Sequence, residues 1–112
     1  MFEIRNYHYD PEKFDLYKAW AIEEAVPYLR EQLDLVGFWV DNGESPQLSG
    51  SDPRPGKHGS ANITWIIRWD SMDARNEGHA TVFKGEGWKA IWANHPDAGG
   101  YLQMEARFMD EI

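Results

Sequence analysis

The chain has 112 residues, no cysteine and a formal net charge of −8. This length suits one domain spanning 1–112; the missing cysteines exclude disulfides, thiolate metal sites and cysteine nucleophiles; and the acidic balance, with scattered Lys and Arg, argues against a nucleic-acid partner. No 18-residue apolar run exists to cross a membrane, and Met1 leads directly into a strand pattern, so neither a membrane association nor a signal peptide is expected and the location expected is cytoplasmic.

The first predicted element is FEIRNYHY, residues 2–9, whose period-two alternation puts Phe2, Ile4, Asn6 and His8 on one face and Glu3, Arg5, Tyr7 and Tyr9 on the other. Asp10 and Pro11 then mark a helix start, as N-cap and first helical residue. The helix is expected over about 11–32, with Phe14, Tyr17, Ala21, Ala25 and Tyr28 on one face at 100° per residue. Pro27 should kink or break it near residue 26. Residues 33–43, LDLVGFWVDNG, read as a second strand ending in a turn. Residues 44–61, rich in Ser, Gly and Pro, form a loop longer than ordinary connections, which is typical of functional lids or disordered segments.

NITWIIRW, residues 62–69, is a β-branched and aromatic third strand: Asn62, Thr64, Ile66 and Arg68 face one way, Ile63, Trp65, Ile67 and Trp69 the other. Asp70 or Ser71 caps the next helix, on which Met72, Arg75, His79, Val82 and Phe83 share a face. Gly78 sits inside that helix at a cost of about 1 kcal/mol relative to Ala, and is expected to let another backbone or a ligand come close. A short helix follows at 88–96, carrying Trp88, Ile91, Trp92 and His95 on one side, and a last strand at 99–109. Strand, helix, strand, strand, helix, strand is the order of the α+β, ferredoxin-like βαββαβ fold with its antiparallel sheet. Helices cover one face of such a sheet. The other face here also carries apolar residues, so self-association into a homodimer, sheet against sheet, is expected.

Several segments together resemble the NIPSNAP family of dimeric α/β barrel proteins: FEIRNYHYDPEKFDLY at the start, LVGFWVDNG at 35–43, NITWIIRWDS at 62–71, then Arg75 and Trp88. The resemblance covers nearly the whole chain and implies a ferredoxin-like subunit whose sheet pairs with a second copy's to form a barrel. Two features depart from the pattern: the 44–61 loop is longer, and His79 stands at an often basic position. The wider superfamily includes cofactor-free monooxygenases, cyclases, lactone isomerases and haem-degrading enzymes. Asn6 matches the asparagine of the haem-degrading group, but Trp92 stands where that group's iron-binding histidine lies. The resemblance therefore implies no haem, and no cofactor is expected.

Six Trp among 112 residues fit either a small core of large side chains or an aromatic-lined pocket for a small hydrophobic or aromatic molecule. No metal-ligand spacing, phosphate loop or serine nucleophile elbow occurs. What remains is acid–base chemistry. His79 is the candidate catalytic base, because a histidine moves a proton near neutral pH. Arg75, one turn earlier, would depress its pKa and hold an anionic oxygen; the competing reading of Arg75 is an ion pair with Glu105 or another acid. The residues expected to bind substrate are Asn6, Tyr7, His8, Tyr17, Glu24, Tyr28, Trp65, Trp88 and Trp92, with Glu24 orienting a histidine and 44–61 closing over the mouth. Isomerisation, cyclisation or a lyase step fits this set. Cofactor-free oxygenation of a phenol, or a non-catalytic dimer serving ligand binding or protein interaction, are the alternatives.

Overall fold

The computed structural model describes residues 1–112. Four strands, β1 (Phe2–Tyr9), β2 (Leu35–Val40), β3 (Ile63–Arg68) and β4 (Tyr101–Met109), form one sheet in the order β2-β3-β1-β4, with every neighbouring pair antiparallel. The helical elements are α1 (Phe14–Trp20), α2 (Val26–Gln32), α3 (Met72–Phe83) and α4 (Glu86–Trp92). This is the expected ferredoxin-like arrangement. Residues 41–62 join β2 to β3 without helix or strand.

The first helix is continuous across Pro27, where the sequence leads us to expect a kink or break. Proline lacks an N–H and its ring collides with the carbonyl four residues earlier. The chain accommodates it by widening into a π turn over Ala21–Ala25, where the Val26 N–H reaches back five residues to the Ala21 carbonyl. The wide turn also changes which residues face inwards. Four-residue steps drift by about 40° each along an α-helix; a π turn takes up that drift. Tyr17, Ala21, Ala25 and Leu29 therefore stay on one buried face, joined by Trp20. Tyr28, expected on that face, is displaced from its centre and is half-buried.

The core lies between the helices and one side of the sheet. From β1 and β3 it takes Tyr7, Tyr9, Ile63, Trp65 and Ile67, from the first helix Tyr17, Trp20, Ala21, Ala25 and Leu29, and from α3 Val82. Only 14 of 112 residues are buried, because one helical layer covers only one side of the sheet. The strand register puts Phe2, Ile4, Thr64, Ile66 and Trp39 on the opposite, open side.

Ser71 caps α3, its hydroxyl accepting from the Ala74 N–H at 3.1 Å. Gly78 is retained because a Cβ there would lie 2.6 Å from the indole of Trp69. The close neighbour at that glycine is thus a side chain of the same chain, in place of the backbone or ligand that the sequence leads us to expect. That indole in turn donates to Glu3 Oε1 at 3.1 Å, which ties the helix to the charged cluster described next.

Candidate functional site

A cavity of about 460 Å³ opens between the first helix, α3, α4 and the inner face of the sheet, within the size range of small-molecule sites. Thirteen of its 15 lining residues are hydrophobic. Its walls are aromatic edges and faces: Trp65 stacks on Phe38 at 5.8 Å between centroids and meets Tyr7 edge-on at 6.2 Å. Trp20, Trp88 and Trp92 contact one another at 5.9–6.2 Å. Trp20 fastens α4 to the first helix by donating its indole N–H to the Ile91 carbonyl at 3.0 Å. Met104 and Trp92, 57% and 38% exposed, stand at the opening.

Alternation along β1 positions the polar end. Glu3, Arg5 and Tyr7 occupy consecutive inward places. The Glu3 carboxylate, fully buried, accepts from Arg5 Nη1 at 2.6 Å, Arg75 Nε at 3.0 Å, Arg75 Nη2 at 2.9 Å and Trp69 Nε1 at 3.1 Å. Burial works against its ionisation, but the hydrogen bonds from Arg75 and Arg5 prevail and hold its pKa below the ordinary value. Arg5 Nε donates to the Tyr7 hydroxyl oxygen at 2.8 Å, and the guanidinium lies 5.2 Å from the Trp65 ring centroid. Burial raises the pKa of Tyr7, opposed by Arg5 and by the nearby Trp65 indole, so the phenol stays protonated. Its oxygen is occupied by Arg5; its own O–H remains available as a donor.

His79 lines the cavity. Its ring packs 4.6 Å from Phe83, and its pKa lies below 6.5, first through burial and then through the charges of Arg75 and Arg5. At neutral pH it is an uncharged imidazole, able to accept a proton. On another wall, Tyr101 is held by His95. The Asp97 N–H donates to His95 Nδ1 at 3.0 Å, so Nε2 carries the ring proton and donates to the Tyr101 oxygen at 2.9 Å. Burial pushes Tyr101 upwards and His95 downwards, so both are neutral.

Of the residues expected to bind substrate, Tyr7, Tyr17, Trp65, Trp88 and Trp92 meet here with His79. Four expected residues lie elsewhere. Asn6 and His8 alternate onto the open side of the sheet, Asn6 accepting from Thr64 Oγ1 at 2.7 Å and His8 Nε2 donating to the Gly59 carbonyl at 3.0 Å. Glu24 accepts from Asn94 Nδ2 at 2.7 Å and forms no hydrogen bond with a histidine. Tyr28 packs against Trp88 outside the cavity. Arg75 lies behind the wall in an ion pair, as its competing reading expects, but with Glu3; Glu105 pairs with Arg107 at 3.2 Å. No residue of 44–61 lines the cavity, and the loop reaches the open side of the sheet through Gly59 and His58 instead. It is not a lid over this mouth.

Sequence reasoning passes over Arg5, Trp20 and Tyr101. The signal for Arg5 is present: it alternates with Glu3 and Tyr7, and an inward Arg two places from an inward Glu on one strand is unusual enough to mark a buried pair.

The chain's fold is similar to those of solved NIPSNAP structures. An uncharacterised NIPSNAP domain protein from Burkholderia xenovorans superposes with a TM-score of 0.71 at 13% identity, covering 99% of this chain and 93% of that one. A NIPSNAP family protein from Agrobacterium tumefaciens gives 0.68 at 18% identity, over 95% and 80%. A second from that organism, of unknown function, gives 0.66 at 21%, over 96% and 84%. No family profile and no curated protein matches the chain. What is shared with these structures is the ferredoxin-like fold, over nearly the full length of this chain.

Proposed function

We propose that this chain is a cytoplasmic, homodimeric, cofactor-independent enzyme that moves a proton within a small hydrophobic or aromatic metabolite. The reactions that fit are isomerisation, cyclisation and lyase steps. The observation that carries this reading is the placement of a neutral imidazole, His79, on the wall of an aromatic cavity beside a fixed guanidinium, Arg5. A base with its pKa near or below neutral is ready to accept a proton at physiological pH. A guanidinium in a water-poor site stabilises the negative charge that develops on a neighbouring oxygen as that proton leaves.

In this reading His79 takes a proton from a carbon of the bound compound and returns it to another position, or to the same carbon after a bond has rearranged. Arg5 and the hydroxyls of Tyr7 and Tyr101 hold the oxygen that becomes enolate-like. Arg75 acts at a distance: it fixes Glu3, which fixes Arg5, and its charge keeps His79 neutral. The aromatic walls orient a planar body by stacking and edge contacts. The open side of the sheet, with Phe2, Ile4, Ile66 and Trp39, supports pairing with a second copy.

Hydrogen exchange at carbon tests the proton-transfer step whichever rearrangement follows it. A panel of small aromatic and aliphatic carbonyl compounds is incubated with the protein in D2O, and deuterium uptake at carbon is followed by proton NMR. The wild-type chain is expected to catalyse exchange on at least one member, and His79→Ala to lose it. Exchange that persists unchanged in His79→Ala would remove His79 from the mechanism. Binding of panel members without exchange would favour a ligand-binding dimer.

A further inference from the structure

Two half-buried guanidiniums, Arg5 and Arg75, share a single buried carboxylate, Glu3, and neither has any other acidic partner. Their side chains are 15% and 19% exposed and Glu3 is not exposed at all. One positive charge is therefore left uncompensated at the wall of an apolar cavity, within a chain whose formal net charge is −8. A charge withdrawn from water without a partner is costly. Arg75 spends its Nε and Nη2 on Glu3 and its Nη1 on Asn76. Arg5 spends only Nε, on Tyr7, and Nη1, on Glu3. Its Nη2 forms no hydrogen bond within the chain, and Arg5, not Arg75, lines the cavity.

A second, independent observation points the same way. The indole nitrogen of Trp65 is buried and lies near the Tyr7 hydroxyl without completing a well-formed hydrogen bond to it or to any other group, although Trp65 is only 4% exposed and lines the cavity. Buried indole N–H groups ordinarily find an acceptor. The Tyr7 hydroxyl, its oxygen already taken by Arg5, offers a third donor at the same end. Three donor groups lie at this end of the cavity, and the one inward carboxylate beside them, Glu3, accepts only from Arg5 Nη1 among them.

We infer that the cavity binds a monoanion, a small aromatic or conjugated carboxylate, whose oxygens are received by Arg5, Trp65 and Tyr7 while its apolar body lies among Trp20, Trp88 and Trp92. A carboxylate supplies the two coplanar oxygens that a guanidinium edge recognises. This deepens the reading above, since it rests on the same cavity, and it names the substrate class that His79 would act upon.

The test uses 2-naphthoate, its neutral isostere 2-naphthamide and the cation 2-naphthylmethylammonium, titrated calorimetrically against the intact wild-type protein. The wild type is expected to bind naphthoate about tenfold or more tighter than naphthamide, the scale of a hydrogen-bonded charge, and the cation most weakly. Arg5→Met keeps the Arg75–Glu3 pair and is expected to abolish the preference while naphthamide still binds. Trp65→Phe leaves the charged cluster whole and is expected to reduce the preference in part, so the test stands even if Arg5→Met does not fold. Equal affinity for acid and amide in the wild type, or an undiminished preference in Trp65→Phe and Arg5→Met, would overturn the inference; so would failure of all three probes to bind. An acid preference in a protein that exchanges no deuterium would leave the anion site standing and remove the proton-transfer role.

Discussion

Glu3→Gln is the most informative single change outside the cavity. The substitution keeps size and shape but removes the only negative charge from a cluster of four donors. Two guanidiniums, each less than a fifth exposed, are left facing each other across a neutral amide, and the new NH2 group points at groups that can only donate. Removing one partner of a buried ion pair costs about 3–5 kcal/mol. For a chain of 112 residues, 1 kcal/mol corresponds to about 4 °C in Tm, so the expected fall is about 12–20 °C. Calorimetric unfolding at pH 7 reads it. A second arm uses acid. Glu3 has a folded pKa below its ordinary value of 4.5, so its contribution is fully present above that value and is lost as pH falls through the lowered one. The difference in stability between wild type and Glu3→Gln should therefore shrink as pH drops below about 4.5. A Tm change under about 4 °C at neutral pH, or a difference independent of pH, would mean that the cluster is not a buried charge centre.

Three further outcomes follow from particular contacts. Gly78→Ala gains about 1 kcal/mol of helix propensity but drives a Cβ into Trp69, and overpacking costs about 1–3 kcal/mol; a net loss is expected in chemical denaturation, and a gain would show that Trp69 moves aside freely. Because the folded pKa of His79 lies below 6.5, its contribution to stability is full above that value and declines as pH falls through the lowered one; activity should rise with pH through a midpoint below 6.5, and persistence of that midpoint in His79→Gln would reassign the base. Ile66→Asp places a charge on the open side of the sheet and is expected to convert a dimer to a monomer in sedimentation equilibrium, whereas a monomeric wild type would remove self-association from the proposed function.

The order of the elements is legible in the sequence because each carries its own period: alternation in FEIRNYHY and NITWIIRW, and the 3.6-residue pattern from Phe14 onwards. The two faces of β1 and β3 divide as the alternation predicts, yet nothing in the alternation itself says which face the helices cover. For that reason Asn6 and His8 read as substrate contacts and lie on the other side. The π turn is hidden because its cause, Pro27, reads as a break in sequence, and only packing of Tyr17, Ala21, Ala25 and Leu29 favours the wider turn. Arg75 is visible as a neighbour of His79, whereas the arginine that reaches the cavity, Arg5, lies in another element 70 residues away in sequence. Pairings across such distances depend on which strands meet, and that information resides in the fold. The 44–61 loop reads as a cover for the cavity from its length alone; its contacts with His8 carry it to the far side of the sheet.

A neutral His79 and a bound anion sharing one cavity should influence each other's charge, and NMR titration of the His79 ring signals measures that influence. With the free protein the midpoint is expected below 6.5. With saturating 2-naphthoate it should move upwards, because the carboxylate offsets the Arg5 charge that depresses it. A midpoint at or above 6.5 in the free protein, or one that naphthoate leaves unmoved, would contradict the shared site.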